Sequence, residues 1–455
     1  MEQPIKILFY SGHCEIVGGD AKYIFELVDA LAPKKYDISL YSDKNQMFEK
    51  RALQWMKQQR DVHYLETRPV LFAKNHLDTF FDDVDEGRSQ SVVAKLLQLH
   101  VKSISLSRVL RRIAKMVLFE RLREDLHNYR VFKKIFQEQQ PDIFHFNNGG
   151  YPAKKAGLWA LLAARQSGVE HIVMTIQNFP SKKNPLRLSD FVLDRITRKC
   201  CDRLITVSEK LRLEMQQGRG FPLSHSQTIF HGLSDITHLD AEQIRSKKES
   251  LHLPIDAPLL MITSNLDEYR KGHKELFHAL LTVQEKYKNI HLMVVGDGIK
   301  RIEFENLATS LGLSDAILFL GHRSDVAELN EIADIALAPS IAFEGIPYTI
   351  REAMRSAKPV ITTDAGGCDE AVENGVNGFI VPQKSVSELA KALLTLLKDP
   401  ELQKKMGQNS RKLFEEKFLL SDKVKEHEAL YENIIRRPFV QEWLYRTPDA
   451  GNLKI

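Results

Sequence analysis

Two glutamates, Glu344 and Glu352, stand with seven residues between them in FEGIPYTIREAM, directly after the short apolar run IALAPS. Pro347 suits the first turn of a helix, so the spacing puts Glu344 in a loop and Glu352 on the helix that follows. The loop N–H groups and the positive helix end then face whatever lies before them, an arrangement that suits a diphosphate. Two glutamates at this spacing are common by chance. Here they are joined by Arg270-Lys271-Gly272 after LLMITSN, Gly296-Asp297-Gly298 closing HLMVV, Gly321-His322-Arg323 closing ILFL, and Gly366-Gly367 after PVITTDA. Each lies where a short apolar run ends. Near the start, Gly18-Gly19 follows IKILFY in the same way, although many βα loops carry glycine without binding a phosphate.

These residues need sheets to carry them. Ile5–Tyr10, the glycines, a helical stretch over Ala21–Leu31 and Ile38–Tyr41 read as strand, Gly-rich loop, helix, strand. Ile143–Phe146, Ile172–Ile176 and Leu204–Val207 continue the series. A second series starts after Pro254: Leu259–Thr263, His291–Val295, Ile317–Leu320, Ile335–Ala338, Pro359–Thr362 and Gly378–Val381, with helices such as Lys274–Tyr287 and Val386–Leu397 between them. The alternation predicts an α/β protein of two doubly wound, Rossmann-like domains facing a central cleft. The first domain is expected over 1–232, with a helical insertion at 66–136, and the second over 233–420. The junction falls in the polar stretch Gly232–Pro254, and a C-terminal helix over 421–445 is a candidate to return to the first domain.

The 455 residues are 43% hydrophobic and 27% charged, with a formal net charge of +4. That length implies two domains of about 200 residues each. So small a charge argues against a nucleic-acid partner, whose binder carries a strongly basic domain or stripe. Cys14, Cys200, Cys201 and Cys368 lack metal-ligand spacing and read as buried or incidental thiols of a reducing compartment. No other cluster suggests a metal. The N-terminus runs straight into a strand, and no window reaches the ~18 apolar residues of a membrane span. The expectation is a cytoplasmic protein, or one peripheral on a cytoplasmic membrane face.

The segment from Glu66 to Phe136 stands outside the alternation. An acidic patch, DTFFDDVDEGR, precedes a basic helical pattern over Val101–Phe136, in which Leu106, Val109, Leu110, Ile113, Met116 and Val117 are interleaved with Arg108, Arg111, Arg112 and Lys115. Two readings stand for 101–136: a helix packing its apolar stripe on the core, or one lying on an anionic membrane surface.

Taken in order, Gly18-Gly19, VSEKLR (Val207–Arg212), IFHG (Ile229–Gly232), RKG, GDG, GHR, EGIPYTIRE and GGCDEAVENGVNGFIV resemble the retaining nucleotide-sugar glycosyltransferases of family four, which have the GT-B fold. The resemblance covers almost the whole chain apart from the 66–136 insertion. It implies transfer of a hexose-type sugar from a UDP- or GDP-sugar, itself a substrate, to a glycan or lipid-linked acceptor, with retention and with neither metal nor cofactor. By the same resemblance Glu352 would accept hydrogen bonds from the ribose diol, Glu344 would contact donor-sugar hydroxyls, and Lys271 would neutralise the departing diphosphate. Gly18, Gly19 and Gly345, with the backbone of Ile346, Pro347, Tyr348 and Thr349, would line the phosphate and sugar pocket. Backbone near His322 and Arg323 would meet the base. On the acceptor side the candidates are His145, Asn147, Gln177 and Asn178, with turn stabilisation an equal alternative for the first two.

Two positions depart from the family. Its usual arginine six residues before the phosphate lysine is Asn265 here, with Arg270 nearby at another offset, and Gln177 stands where many members carry a histidine. Asparagine replaces neither the charge nor the fork geometry of a guanidinium. These departures motivate an alternative, a catalytically weakened GT-B protein that binds nucleotide-sugar or glycan as a regulator or scaffold. Asp83-Val84-Asp85 superficially matches the metal-binding pair of the other large glycosyltransferase fold, but its acidic surroundings read as a solvated loop.

Overall fold

The structure is a computed structural model that describes residues 3–11, 19–32, 34–42, 62–64, 123–152, 155–182, 188–342 and 344–436. The described strands form two sheets, parallel throughout. The first contains β1 (Ile5–Ser11), β2 (Tyr36–Ser42), β3 (Val62–Tyr64), β4 (Ile143–Asn148), β5 (His171–Ile176), β6 (Arg203–Thr206) and β7 (Ser226–Thr228), in the order β3-β2-β1-β4-β5-β6-β7. The second contains β8 (Leu259–Thr263), β9 (His291–Val295), β10 (Ile317–Gly321), β11 (Ile335–Ala338), β12 (Val360–Thr363) and β13 (Gly378–Val381), in the order β10-β9-β8-β11-β12-β13. Helices cover both faces of such sheets, which is why β4 and β5 are buried at every residue and read as continuous apolar runs. The edge strands β3 and β7 escape sequence reading, because VHY and SQT carry no apolar run.

In each sheet the strand order reverses once, between β1 and β4 and between β8 and β11. Adjacent loops run to opposite faces there, leaving a crevice at the strand C-termini where ligands of open α/β sheets bind. The loops after β8 and β11 contain Asn265, Arg270 and Lys271 on one side and Glu344 on the other.

The chain crosses between the sheets twice, and the crossings are tied together. After β7 the outgoing strand meets the returning one, with Leu233 N donating to Phe418 O at 2.8 Å and Leu420 N to Leu233 O at 3.0 Å. The C-terminal helix Leu420–Ile435 then packs on the first sheet, where Val424, Leu430, Tyr431 and Ile434 join the core of Ile7, Phe9, Tyr23 and Leu27. Burying such side chains contributes about 1.5–3 kcal/mol each. This helix overlaps the 421–445 stretch read from the sequence, of which 437–445 lie outside the described residues. Of the basic pattern over 101–136, residues 101–122 lie outside the described residues. The part from 123 onward is helical to 139 and packs on the core, Phe132 edge-on to Tyr10 and Phe136 edge-on to Phe144. Cys200, Cys201 and Cys368 are buried free thiols, and Cys14 and the Asp83–Asp85 pair lie outside the described residues.

Under the C-terminal helix lie three histidines that burial keeps neutral. His427 Nδ1 faces the Lys423 carbonyl at 2.7 Å, so Nδ1 carries the proton and Nε2 accepts from the Tyr23 hydroxyl at 2.7 Å. Burial brings its pKa down to about 4, and burial first also holds His145 and His231 well below the ordinary value. The unfolded chain therefore binds more protons than the folded one between the ordinary value of 6.5 and about 4. The stability these groups contribute is complete above about pH 6.5 and declines as pH falls, by up to about 1.4 kcal/mol per pH unit for each histidine. Urea midpoints should drop steadily from pH 7 to pH 5, with a shallower slope in His427→Gln; a flat profile would contradict the neutral assignment.

Candidate functional site

β8 ends at Thr263, and the chain turns through a single 3-10 turn, Tyr269–Lys271, before entering the helix His273–Gln284. Gly272, at φ +78°, joins the two, and a Cβ there would stand 1.9 Å from the carbonyl oxygen of Pro339. Glycine thus lets the β8 loop lie directly on the β11 loop. Ile341 N donates to Arg270 O at 2.8 Å and fastens them. As a result Arg270 and Lys271 both pair with the Glu344 carboxylate, which also accepts from the Ser340 hydroxyl at 3.2 Å. Glu344 is 6% exposed, and a carboxylate so withdrawn from water needs this compensation. Burial works against the Arg270 charge, but Glu344 and Glu268 outweigh it and raise its pKa. Behind Lys271, His273 is kept neutral, its pKa brought down to about 3 by burial and then by the Lys271 charge.

The next helix runs from Tyr348 to Arg355 with Pro347 as its capping residue rather than in its first turn. Glu352 therefore lies in the second turn, where the helix dipole offers it little. It is 7% exposed. Its partner comes from the other domain: Lys22, on the helix Gly19–Ala30 that follows β1, places Nζ 2.7 Å from Glu352 Oε1. Lys22 also stands 5.0 Å from the centre of the Tyr348 ring, and the Tyr348 hydroxyl donates to Glu26 at 3.3 Å. The buried Arg351 and Arg355 turn elsewhere, donating to the carbonyls of His231, Ile346 and Ser234.

The two domains touch along this line. A Cβ on Gly345 would lie 2.8 Å from the carbonyl oxygen of Gln177. Farther along, the Glu370 carboxylate accepts from the backbone N–H of Glu209 at 2.6 Å and of Lys210 at 2.8 Å, at the N-terminus of a first-domain helix, and Lys210 pairs with Asp369 at 2.5 Å. Burial nonetheless raises the Glu370 pKa, despite those two hydrogen bonds.

The structure thus brings together Arg270, Lys271, Glu344, Gly345, Ile346, Pro347, Tyr348, Thr349 and Glu352. Gly19 opens the facing helix, and Gly18 lies outside the described residues. Asn265 is exposed on the β8 loop, and His322 is exposed after β10. The Arg323 side chain is occupied by Asp325 at 2.7 Å, which leaves its backbone for a ligand. In the first domain Gln177 Nε2 donates to Asn147 Oδ1 at 2.6 Å, both residues buried beside the switch point, and Asn178 is exposed. His145 is a correction. It is fully buried in mid-strand, its ring nitrogens bonded to Tyr431 and Thr175 at 2.7 Å each, so it supports the C-terminal helix and presents nothing to an acceptor. Sequence reading missed Lys22, Glu26 and Glu370; Lys22 follows Gly18-Gly19 by three residues, and Glu370 lies inside GGCDEAV, which are the signals that mark them. Among the described residues no group of three or more His, Cys, Asp or Glu side chains could hold a metal ion, and no helix is long and apolar enough to cross a membrane.

Residues 243–413 match the family model described as glycosyl transferases group 1, and residues 95–235 match that of glycosyltransferase family 4. The putative glycosyltransferase EpsD of Bacillus subtilis is 28% identical over 64% of this chain and 76% of its own. The N,N'-diacetylbacillosaminyl-diphospho-undecaprenol alpha-1,3-N-acetylgalactosaminyltransferase of Campylobacter jejuni is 23% identical over 65% of this chain and 80% of its own. Among solved structures, Anabaena HepE in complex with UDP superposes with a TM-score of 0.69 at 19% identity, over 94% of this chain and 100% of that one. The two family matches, on 95–235 and 243–413, together with two parallel sheets and the likeness to this solved structure, make the chain a glycosyltransferase of the family-four type with the GT-B fold.

Proposed function

We propose that this glycosyltransferase moves a hexose-type sugar, with retention and without a metal ion, from a UDP- or GDP-sugar to a glycan or lipid-linked acceptor. The meeting of Arg270 and Lys271 on Glu344 at the second sheet's switch point carries the proposal. Glu344 and the more exposed Glu268 match the two cations in number, but Glu268 pairs with Arg270 alone. The Lys271 ammonium therefore stands at the strand ends where a departing nucleoside diphosphate gathers negative charge as the glycosidic bond breaks. Charge placed beforehand in a site shielded from water lowers that barrier without reorganisation. Lys271 stabilises the leaving group, Glu344 takes hydroxyls of the donor sugar, and Glu352 takes the ribose. Asn147, Gln177 and Asn178 face the acceptor from the first sheet, and closure of the cleft keeps water from the donor. The UDP bound by the Anabaena neighbour and the diphospho-undecaprenol in the name of the Campylobacter relative agree with these choices of donor and acceptor. A lipid-linked acceptor also suits a location on a cytoplasmic membrane face, with the basic residues over 101–122 against anionic lipid.

A thermal-shift panel of UDP-, GDP- and ADP-sugars should single out one uridine or guanosine donor, since ligand bound to the native state raises apparent stability. With that donor, Lys271→Ala should lower kcat by about 10²–10³-fold while changing nucleotide affinity far less, because Arg270 still compensates Glu344. Glu352→Ala should instead weaken nucleotide binding about tenfold. Unchanged kinetics in both variants would remove the site assignment. Asn265→Arg should raise kcat. Tight nucleotide binding with no turnover for any donor would favour the regulator or scaffold reading over transfer.

A further inference from the structure

We propose that Lys22 is a positioning residue for the donor nucleotide, holding one oxygen of Glu352 from across the cleft so that the carboxylate is oriented for a ribose hydroxyl only when the domains are closed. The inference rests on the reading of Glu352 as the ribose partner and extends it to the opposite domain. Three observations support it. Glu352 lies in mid-helix, away from the dipole that would stabilise it, and its own helix supplies no hydrogen bond to it because Arg351 and Arg355 are spent on backbone carbonyls. Among the described residues the ammonium of Lys22 is its hydrogen-bond partner, through Oε1 alone, and Oε2 is left for another donor. The pair is also lopsided: the Lys22 side chain is 43% exposed and that of Glu352 is 9% exposed.

A half-exposed lysine contributes little to stability through one such bond. Its effect is on direction. With Oε1 fixed by Lys22, the carboxylate plane is set before the nucleotide arrives, and less side-chain freedom is lost on binding. The aromatic ring of Tyr348 below the ammonium and the Tyr348–Glu26 hydrogen bond define the position of Lys22 in turn. All of this exists only while the helix after β1 and the helix after β11 face each other, so ribose recognition and closure become one event.

The test compares affinities of UDP and GDP with those of their 2′-deoxy and 3′-deoxy forms by calorimetry, taking the base that binds wild type more tightly and the deoxy form that costs more. Loss of that hydroxyl should weaken binding by about tenfold in wild type. In Lys22→Met the ratio should fall toward one, with Lys22→Gln as a milder variant should the methionine perturb folding, and Lys22→Arg should restore most of it. Glu352→Gln serves as the reference. If its ratio collapses while both neutral Lys22 variants keep the wild-type ratio, the Lys22 proposal is overturned and the ribose reading stands. If the ratio survives in Glu352→Gln, the ribose reading itself falls and the proposal with it. A simple loss of structure would lower affinity for ribose and deoxyribose forms alike and leave the ratio intact, which also counts against positioning.

Discussion

A carboxylate withdrawn from water keeps its charge only against a cation, and this protein buries two of them at one cleft. Glu344 and Glu352 are 6% and 7% exposed. Removing such ions from water costs several kcal/mol each unless a partner is in hydrogen-bonding contact. For Glu344 the partners arrive from the β8 loop, which forces that loop onto the β11 loop and requires glycine at position 272. For Glu352 the partner arrives from the other domain, which requires the cleft to be closed. Loop apposition thus follows from an electrostatic demand, while the domain contact uses the same chemistry through a half-exposed lysine and adds little stability of its own.

The remaining contacts across the cleft are polar as well. Glu370 occupies the N-terminus of the helix beginning at Glu209, where the dipole favours a carboxylate, and Lys210 reaches back to Asp369. Contacts of this type exchange with water at small net cost, unlike a large apolar interface. The apolar joint lies elsewhere, where the crossings at Leu233 and Leu420 run side by side and the C-terminal helix buries Tyr431 and Ile434 in the first domain. A firm pivot with a polar mouth is the arrangement expected of an enzyme that opens to exchange substrates.

Much of this was open to sequence reading, for physical reasons. Parallel strands buried on both faces are short apolar runs, so Leu259–Thr263, His291–Val295 and Gly378–Val381 match the structure residue for residue. Glu344 and Lys271 were legible because loops at strand ends carry glycine and charge in a recognisable order. His145 was misread because full burial removes the alternation that tells one face of a strand from the other; what decided its role, Tyr431, is 286 residues away. Lys22 is marked in the sequence only by its nearness to Gly18-Gly19; its pairing with Glu352 spans 330 residues, and no local pattern records that.

The same electrostatics bear on Asn265, where the family carries an arginine. At the β8 loop Arg270 and Lys271 are matched in number by the buried Glu344 and the more exposed Glu268, so what a ligand meets is the positive charge of whichever cation is less fully paired. Part of the Arg270 guanidinium is also turned to Glu268, so that charge resides mainly on Lys271. An arginine at 265 would add one unit of positive charge on an exposed part of the loop, where screening by water weakens it. On the proposed mechanism the asparagine therefore diminishes the field on the leaving group without removing its source, because the buried carboxylate that fixes Lys271 in place is intact. Loss of Glu344 would be the graver change: it would leave Arg270 and Lys271 without their shared counter-ion and remove the side-chain tie between the β8 and β11 loops.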